Sequence, residues 1–182
     1  MEVYLIRHTT PQVEKGVIYG QLDLDVGGDF QEESDQIIQQ LPSHFDACYS
    51  SPLQRCAKLA FKLCPSFFVD ERLVEYNFGD WEGQTWDNID QRQLNQWMEN
   101  YASIAPPNGE TALEMRTRLI EFWNELIAKP YSSVAIITHA GAIRMLYTIL
   151  HSLEIQQAFD LDMAYSTIFK ITTTDNSFER MG

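Results

Sequence analysis

Two short, uninterrupted apolar runs each stop at a histidine: Val3–Ile6 runs into Arg7-His8, and Val134–Ile137 into Thr138-His139. A strand with no polar alternation has both faces buried, as in a parallel sheet covered by helices. The rest of the chain supplies those helices. Phe30–Leu41 carries an apolar stripe of Phe30, Ile37, Ile38 and Leu41 and is stopped by Pro42. Phe45–Tyr49 reads as a second strand. Ser51 and Pro52 then suit the N-cap and first position of a helix burying Leu53, Cys56, Leu59, Ala60 and Leu63. Phe67–Val69 reads as a short strand. A long helix follows Gly109, with Leu113, Leu119, Ile120, Trp123, Leu126 and Ile127 on one face. Gly141–Leu150 is an apolar helix, and Tyr165–Thr173 a last strand at an edge. Strands alternating with helices predict a three-layer α/β/α sandwich with a largely parallel central sheet, one domain over 1–182. Residues 75–108, rich in aromatics, Asn, Asp and Gln, interrupt the rhythm. They predict a small insertion carrying a helix or two, roughly Trp86–Tyr101, and forming a partial cap.

In such sheets ligands bind beyond the carboxyl ends of the strands. That rule selects Arg7, His8 and His139, and also Arg55, in the first turn of the helix after the second strand. Thirteen Lys and Arg stand against 26 Asp and Glu, a formal net charge of −13. Such a field repels nucleic-acid backbones and argues against a nucleic-acid partner. Binding a phosphate then takes a local basic cluster. Two guanidiniums and the amide-rich start of the helix after His139 make one. An imidazole among cations stays neutral and nucleophilic, and can attack phosphorus. Glu75, at the start of the insertion, is placed to give the leaving alkoxide its proton. The scheme needs no metal and no cofactor.

The motifs around these residues resemble those of the histidine phosphatase superfamily, the phosphoglycerate-mutase-like enzymes. Leu5-Ile6-Arg7-His8-Thr9-Thr10-Pro11 is similar to its Arg-His-Gly motif. Tyr49-Ser50-Ser51-Pro52-Leu53-Gln54-Arg55-Cys56 is similar to the motif holding a phosphate-binding arginine. Leu73–Gly83 resembles the acid-bearing motif, Asn108-Gly109-Glu110-Thr111 the Gly-Glu-Ser segment, and Thr138-His139-Ala140-Gly141 the second-histidine motif. The resemblance implies that His8 is the phosphorylated nucleophile. It implies that Arg7, Arg55, His139 and Ala140 hold the phosphoryl oxygens, and that Glu75 protonates the leaving group and then activates water.

Two positions depart from the family. Thr9 replaces the usual Gly, which is tolerable with ordinary backbone angles. Glu14 replaces an Asn phosphate ligand, leaving Gln12 or a backbone amide to take that role. The chain's size, its Thr-Thr-Pro and the segment Tyr19-Gly20-Gln21 before Asp23 resemble the α-ribazole phosphatase group. The resemblance implies a small phosphorylated substrate, α-ribazole 5′-phosphate first. Substrate contacts are expected at Gln12, Tyr19, Gly20, Gln21 and Asn77, with Tyr19, Phe78, Trp81 and Trp86 lining an apolar slot. Other small phosphate esters and a non-catalytic phosphate-binding module are the competing readings. A nucleotide-binding domain is disfavoured because GxGxxG and GxxxxGK[ST] are missing.

No apolar run approaches the roughly 20 residues of a membrane span, and the N-terminus lacks the pattern of a signal peptide. Three cysteines, an odd number, argue against a disulfide framework and fit a reducing cytoplasm. Cys48, Cys56 and Cys64 read as small buried hydrophobes, without the spacing of a metal site. His44 and His151 read as ordinary loop and helix-end residues.

Overall fold

In a computed structural model, which describes residues 1–181, six strands form one sheet in the order β3-β2-β4-β1-β5-β6. The strands are β1 (Glu2–Arg7), β2 (Ala47–Ser50), β3 (Phe68–Val69), β4 (Ser133–Thr138), β5 (Ile168–Thr172) and β6 (Ser177–Met181). The first four are mutually parallel; β5 runs antiparallel to β1, and β6 antiparallel to β5. The helices are α1 (Phe30–Gln39), α2 (Gln54–Leu63), α3 (Gln91–Asn100), α4 (Ala112–Ile127) and α5 (Ala140–Leu150). No helix among the described residues is long and apolar enough to cross a membrane.

The two apolar runs are the centre of the sheet, buried on both faces. Because side chains alternate along a strand, Val3, Leu5, Val134 and Ile136 join Leu119, Phe122, Ile143 and Leu146 of α4 and α5. Tyr4, Ile6, Ala135 and Ile137 join Ile37, Cys56 and Leu59 of α1 and α2 on the opposite face. The result is the predicted α/β/α sandwich.

Several local expectations are corrected. Helix α2 starts at Gln54, so Pro52 lies outside it; its first turn is capped from a distance, Gln54 N donating to Asp23 Oδ1 at 2.7 Å. On α4 the buried face is Ala112, Met115, Leu119, Phe122, Trp123 and Leu126, whereas Leu113 and Ile127 are exposed. Over Trp86–Tyr101, where one or two helices are expected, the chain forms a 3₁₀ turn, Trp86–Asn88, and then α3. Asp90 separates the two by capping α3, accepting from Arg92 N and Gln93 N. Strand β5 is not an edge, because β6 pairs along its whole length. Cys48 and Cys64 are disulfide-bonded, Cα to Cα 6.5 Å. Even spacing in sequence hides that α2 returns its C-terminal end to the start of β2. Only Cys56 is a free, buried thiol.

Leu119 is fully buried between α4 and the sheet. Leu119→Ala is expected to lower unfolding free energy by about 2–5 kcal/mol, through lost transfer energy and the cavity left behind. Urea titration checks this; a loss under about 1 kcal/mol would place Leu119 outside the core.

Candidate active site

Strands β1 and β4 pair in register up to Arg7 opposite Thr138. The residues that follow, His8 and His139, therefore lie side by side with ring centroids 5.1 Å apart. Both imidazoles are buried, His8 being 1% exposed. His8 Nδ1 lies 2.7 Å from the Thr9 carbonyl. A carbonyl only accepts, so Nδ1 carries the proton and Nε2 keeps its lone pair. Burial, and then the charges of Arg55 and Arg7, hold the His8 pKa well below the ordinary histidine value against the pull of the Thr9 bond. His139 is held down likewise, by burial first and then by His8 and Arg55. Its Nε2 meets Ser51 Oγ at 2.8 Å and Cys56 Sγ at 3.4 Å. Ser51, expected as a helix cap, is thus a partner of His139. Thr9 has no positive φ, so its β-branched side chain is accommodated without strain.

Arg55 is the largest fully buried side chain. It donates to the carbonyls of Leu22 and Gly20, each at 2.7 Å. Arg7 donates to Met163 O at 2.7 Å and stacks on Tyr165, Cζ to ring centroid 3.9 Å. Neither arginine has a carboxylate ion-pair partner among the described residues. Both Nε atoms are buried without any hydrogen bond. In a chain with 26 acids this is a marked exclusion of negative charge. Tyr165 also faces His8, at 5.7 Å between centroids. Its hydroxyl meets that of Tyr19 at 3.1 Å, and Tyr19 lies beneath Arg55. Burial pushes the Tyr19 phenol pKa up, so it stays a neutral donor.

Glu75 reaches the site on a loop held by other elements. Its Oε2 accepts from Gly141 N at 3.1 Å, in the first turn of α5. A β-carbon at Gly141 would fall inside contact distance of Glu75 Oε1, which explains the glycine. Arg118 of α4 donates to Val74 O at 2.9 Å and to Glu75 O at 3.2 Å. Glu110 pairs with Arg118 at 2.7 Å and accepts from Asn77 N at 2.9 Å. The Asn108–Thr111 motif thus fixes the acid-bearing loop. Sequence reasoning missed Arg118 and Tyr165, whose contacts run to backbone carbonyls and rings that no motif displays.

The expected substrate contacts are placed less simply. Gln21 Nε2 donates to Glu75 O at 2.9 Å, and Gly20 O is taken by Arg55. Asn77 Oδ1 closes a turn by accepting from Gly79 N. These three hold the site together. Gln12 is exposed, as is Glu14. Ala140 opens α5 and, with Glu75 and Gly141, borders a cavity of about 210 Å³. Phe78, Trp86, Trp97, Tyr101 and Phe159 form its aromatic wall. Trp81, expected in that wall, is instead buried with Ile18, Ile89 and Leu94. No group of three or more His, Cys, Asp or Glu with metal-binding geometry occurs among the described residues.

Comparison with known proteins bears on the family and the fold. The "Putative phosphoserine phosphatase 2" of Hydrogenobacter thermophilus is 27% identical over 179 residues, covering 93% of this chain and 88% of that protein. The α-ribazole phosphatase of Shigella flexneri superposes with a TM-score of 0.88 at 21% identity, over 100% of this chain and 96% of that one. A mycobacterial glucosyl-3-phosphoglycerate phosphatase gives 0.82 at 23% identity, over 98% and 96%. These two likenesses concern the fold. Residues 3–181 match the family description Histidine phosphatase superfamily (branch 1). The chain, with its paired strand-end histidines, belongs to the histidine phosphatase superfamily.

Proposed function

We propose that the chain is a phosphomonoesterase working through a phosphohistidine. One observation carries this reading: two arginines without carboxylate partners converge on a neutral His8 whose Nε2 lone pair is free. A dianionic phosphoryl group supplies the charge that both guanidiniums lack. His8 Nε2 bonds to phosphorus as the ester P–O bond breaks, and the Glu75 carboxyl group gives a proton to the leaving oxygen. Glu75 carboxylate then takes a proton from water while the water oxygen bonds to phosphorus and the P–N bond breaks, releasing inorganic phosphate. Arg7, Arg55, His139 and the start of α5 at Ala140 hold the phosphoryl oxygens. The positive charge that a metal would bring is supplied by the guanidiniums.

Segment 75–108 acts as a partial cap, and its aromatic wall receives the alcohol portion of the substrate. That wall supports α-ribazole 5′-phosphate, whose base is flat and apolar, as the substrate, and with it a step in cobalamin nucleotide-loop assembly. The Hydrogenobacter relative favours phosphoserine as the second reading. Initial rates on α-ribazole 5′-phosphate, phosphoserine, 3-phosphoglycerate and p-nitrophenyl phosphate separate the two. His8→Ala is expected to abolish turnover of all of them and EDTA to leave the wild-type rate unaltered. Residual activity above about 1% in the variant contradicts the covalent route.

Gly141→Ala tests the placement of the acid. Its methyl group displaces the Glu75 carboxylate, so kcat is expected to fall by about 100-fold while the sheet stays folded. A wild-type kcat would detach Glu75 from the proton transfer.

Burial keeps His8 and His139 neutral in the folded protein at a pH where the unfolded chain takes up protons. Their contribution to stability is complete above about pH 6.5 and is lost as the pH falls below it, by up to about 1.4 kcal/mol per pH unit for each histidine. Urea midpoints measured between pH 7 and pH 5.5 should show this slope, and His139→Gln should reduce it. An unreduced slope would mean that His139 is protonated in the folded state.

A further inference from the structure

The reaction above leaves one charge in the cavity unused. Arg144 lies on α5, about one turn beyond Ala140 and Gly141 and on the same helix face. It is half-buried, and its Nε donates to Leu161 O at 3.1 Å. Its two terminal nitrogens make no hydrogen bond and no ion pair among the described residues. Asp162, close in space, pairs with Arg180 at 3.1 Å and points to solvent. The guanidinium borders the same cavity as Glu75, facing aromatic rings; Phe159 lies 5.8 Å from its Cζ. Burial, and then Arg7, hold the Arg144 pKa below the ordinary arginine value, outweighing the opposite pull of Glu75 and Asp162. A ring face returns only part of the lost hydration. What its terminal nitrogens lack is a hydrogen-bond acceptor: Glu75 shares the cavity wall but makes no hydrogen bond or ion pair with Arg144.

We propose that Arg144 determines specificity by donating hydrogen bonds to an acceptor on a flat aromatic leaving group seated against Trp86, Trp97 and Phe159. The preferred esters then combine an apolar ring with an acceptor at its edge, either a ring nitrogen or a carboxylate. A planar guanidinium presents its donors in one plane and suits either acceptor. The benzimidazole of α-ribazole, with one ring nitrogen unsubstituted, fits this description; phosphoserine has no ring to fill the cavity. The proposal rests on the phosphomonoesterase reading above.

Three esters of similar shape test it: 2-naphthyl phosphate, 6-quinolinyl phosphate and 6-carboxy-2-naphthyl phosphate. Wild type is expected to favour at least one of the latter two over the first in kcat/KM. Arg144→Met should reduce that preference by about tenfold or more, chiefly through KM, because a hydrogen bond from a charged donor is lost. Arg144→Lys, which keeps a cationic donor, should restore part of it. Which ester responds identifies the acceptor. A preference that Arg144→Met leaves within about twofold, or an equal loss on all three esters, overturns the proposal. Inhibition of wild type by 2-naphthol and 6-hydroxyquinoline makes the comparison without a variant, should Arg144→Met fail to fold; equal inhibition constants for these two and for 6-hydroxy-2-naphthoate overturn it. Hydrolysis of p-nitrophenyl phosphate by wild type and by His8→Ala is read in parallel. If that activity is present and His8-dependent while the Arg144 effect is missing, only the Arg144 proposal fails. If it is missing from wild type, the phosphohistidine reading falls and this proposal with it.

Discussion

A guanidinium buried without a counter-charge is among the costlier things a fold can hold, and Arg55 is one. The surrounding chain is arranged to make it tolerable. Two carbonyls, from Gly20 and Leu22, take its hydrogen bonds and so pin the loop after Tyr19 over the sheet edge. The same loop sends Asp23 to the start of α2, the helix that carries Arg55. Glu82 anchors the loop from the other side, accepting from Gln21 N at 2.9 Å and Phe78 N at 3.0 Å. Gly20, with φ +37°, leaves room for that carboxylate where a side chain would collide with it. Backbone dipoles thus replace a salt bridge. They solvate the charge without neutralising it, and its field remains available to the neighbouring histidines.

The second constraint is topological. Parallel strands end on the same side of a sheet, so pairing β1 with β4 brings His8 and His139 together across most of the chain length. The acid has no such guarantee, because it lies on a loop. Its position is built from side chains reaching backbone: Arg118 and Gln21 hold the Glu75 carbonyl, and Gly141 N holds its carboxylate. The base of the site is therefore fixed by sheet register, while its roof is fixed by a network of polar contacts. Substitutions in the two layers act through different physics: cavity formation below, misplacement above.

What the sequence makes legible follows the same division. Val3–Ile6 and Val134–Ile137 read as buried central strands, and their ends carry the residues that converge in space. On α4, Leu113 and Ile127 fit the apolar pattern yet are exposed, because a helix of that length offers more apolar positions than its buried face needs. Strand β6 leaves no sequence signature because Ser177–Met181 is half-exposed and carries Glu179 and Arg180, which an edge strand tolerates. Around the site, Gly20, Gln21 and Asn77, expected at the substrate, also make contacts within the chain that no motif displays. Arg118 and Arg144 left no trace in the motifs. Their meaning depends on which carbonyl or cavity a helix face meets, and that is decided only by tertiary packing.

The net charge of −13 gives the local cluster its significance. At physiological ionic strength the general repulsion decays within about 8 Å, so it slows the approach of a dianion without governing its binding at contact. There the buried guanidiniums act in a weakly screened environment, and their interaction with an anion is stronger than the same pair in water. Their want of a carboxylate partner lowers the stability of the fold by the unrecovered hydration of each charge. An anion that binds the folded chain alone restores part of it and stabilises the protein by mass action. Weakness of the fold and affinity for a phosphoryl group are two expressions of one free energy. A carboxylate placed beside Arg55 would strengthen the first only by removing the second.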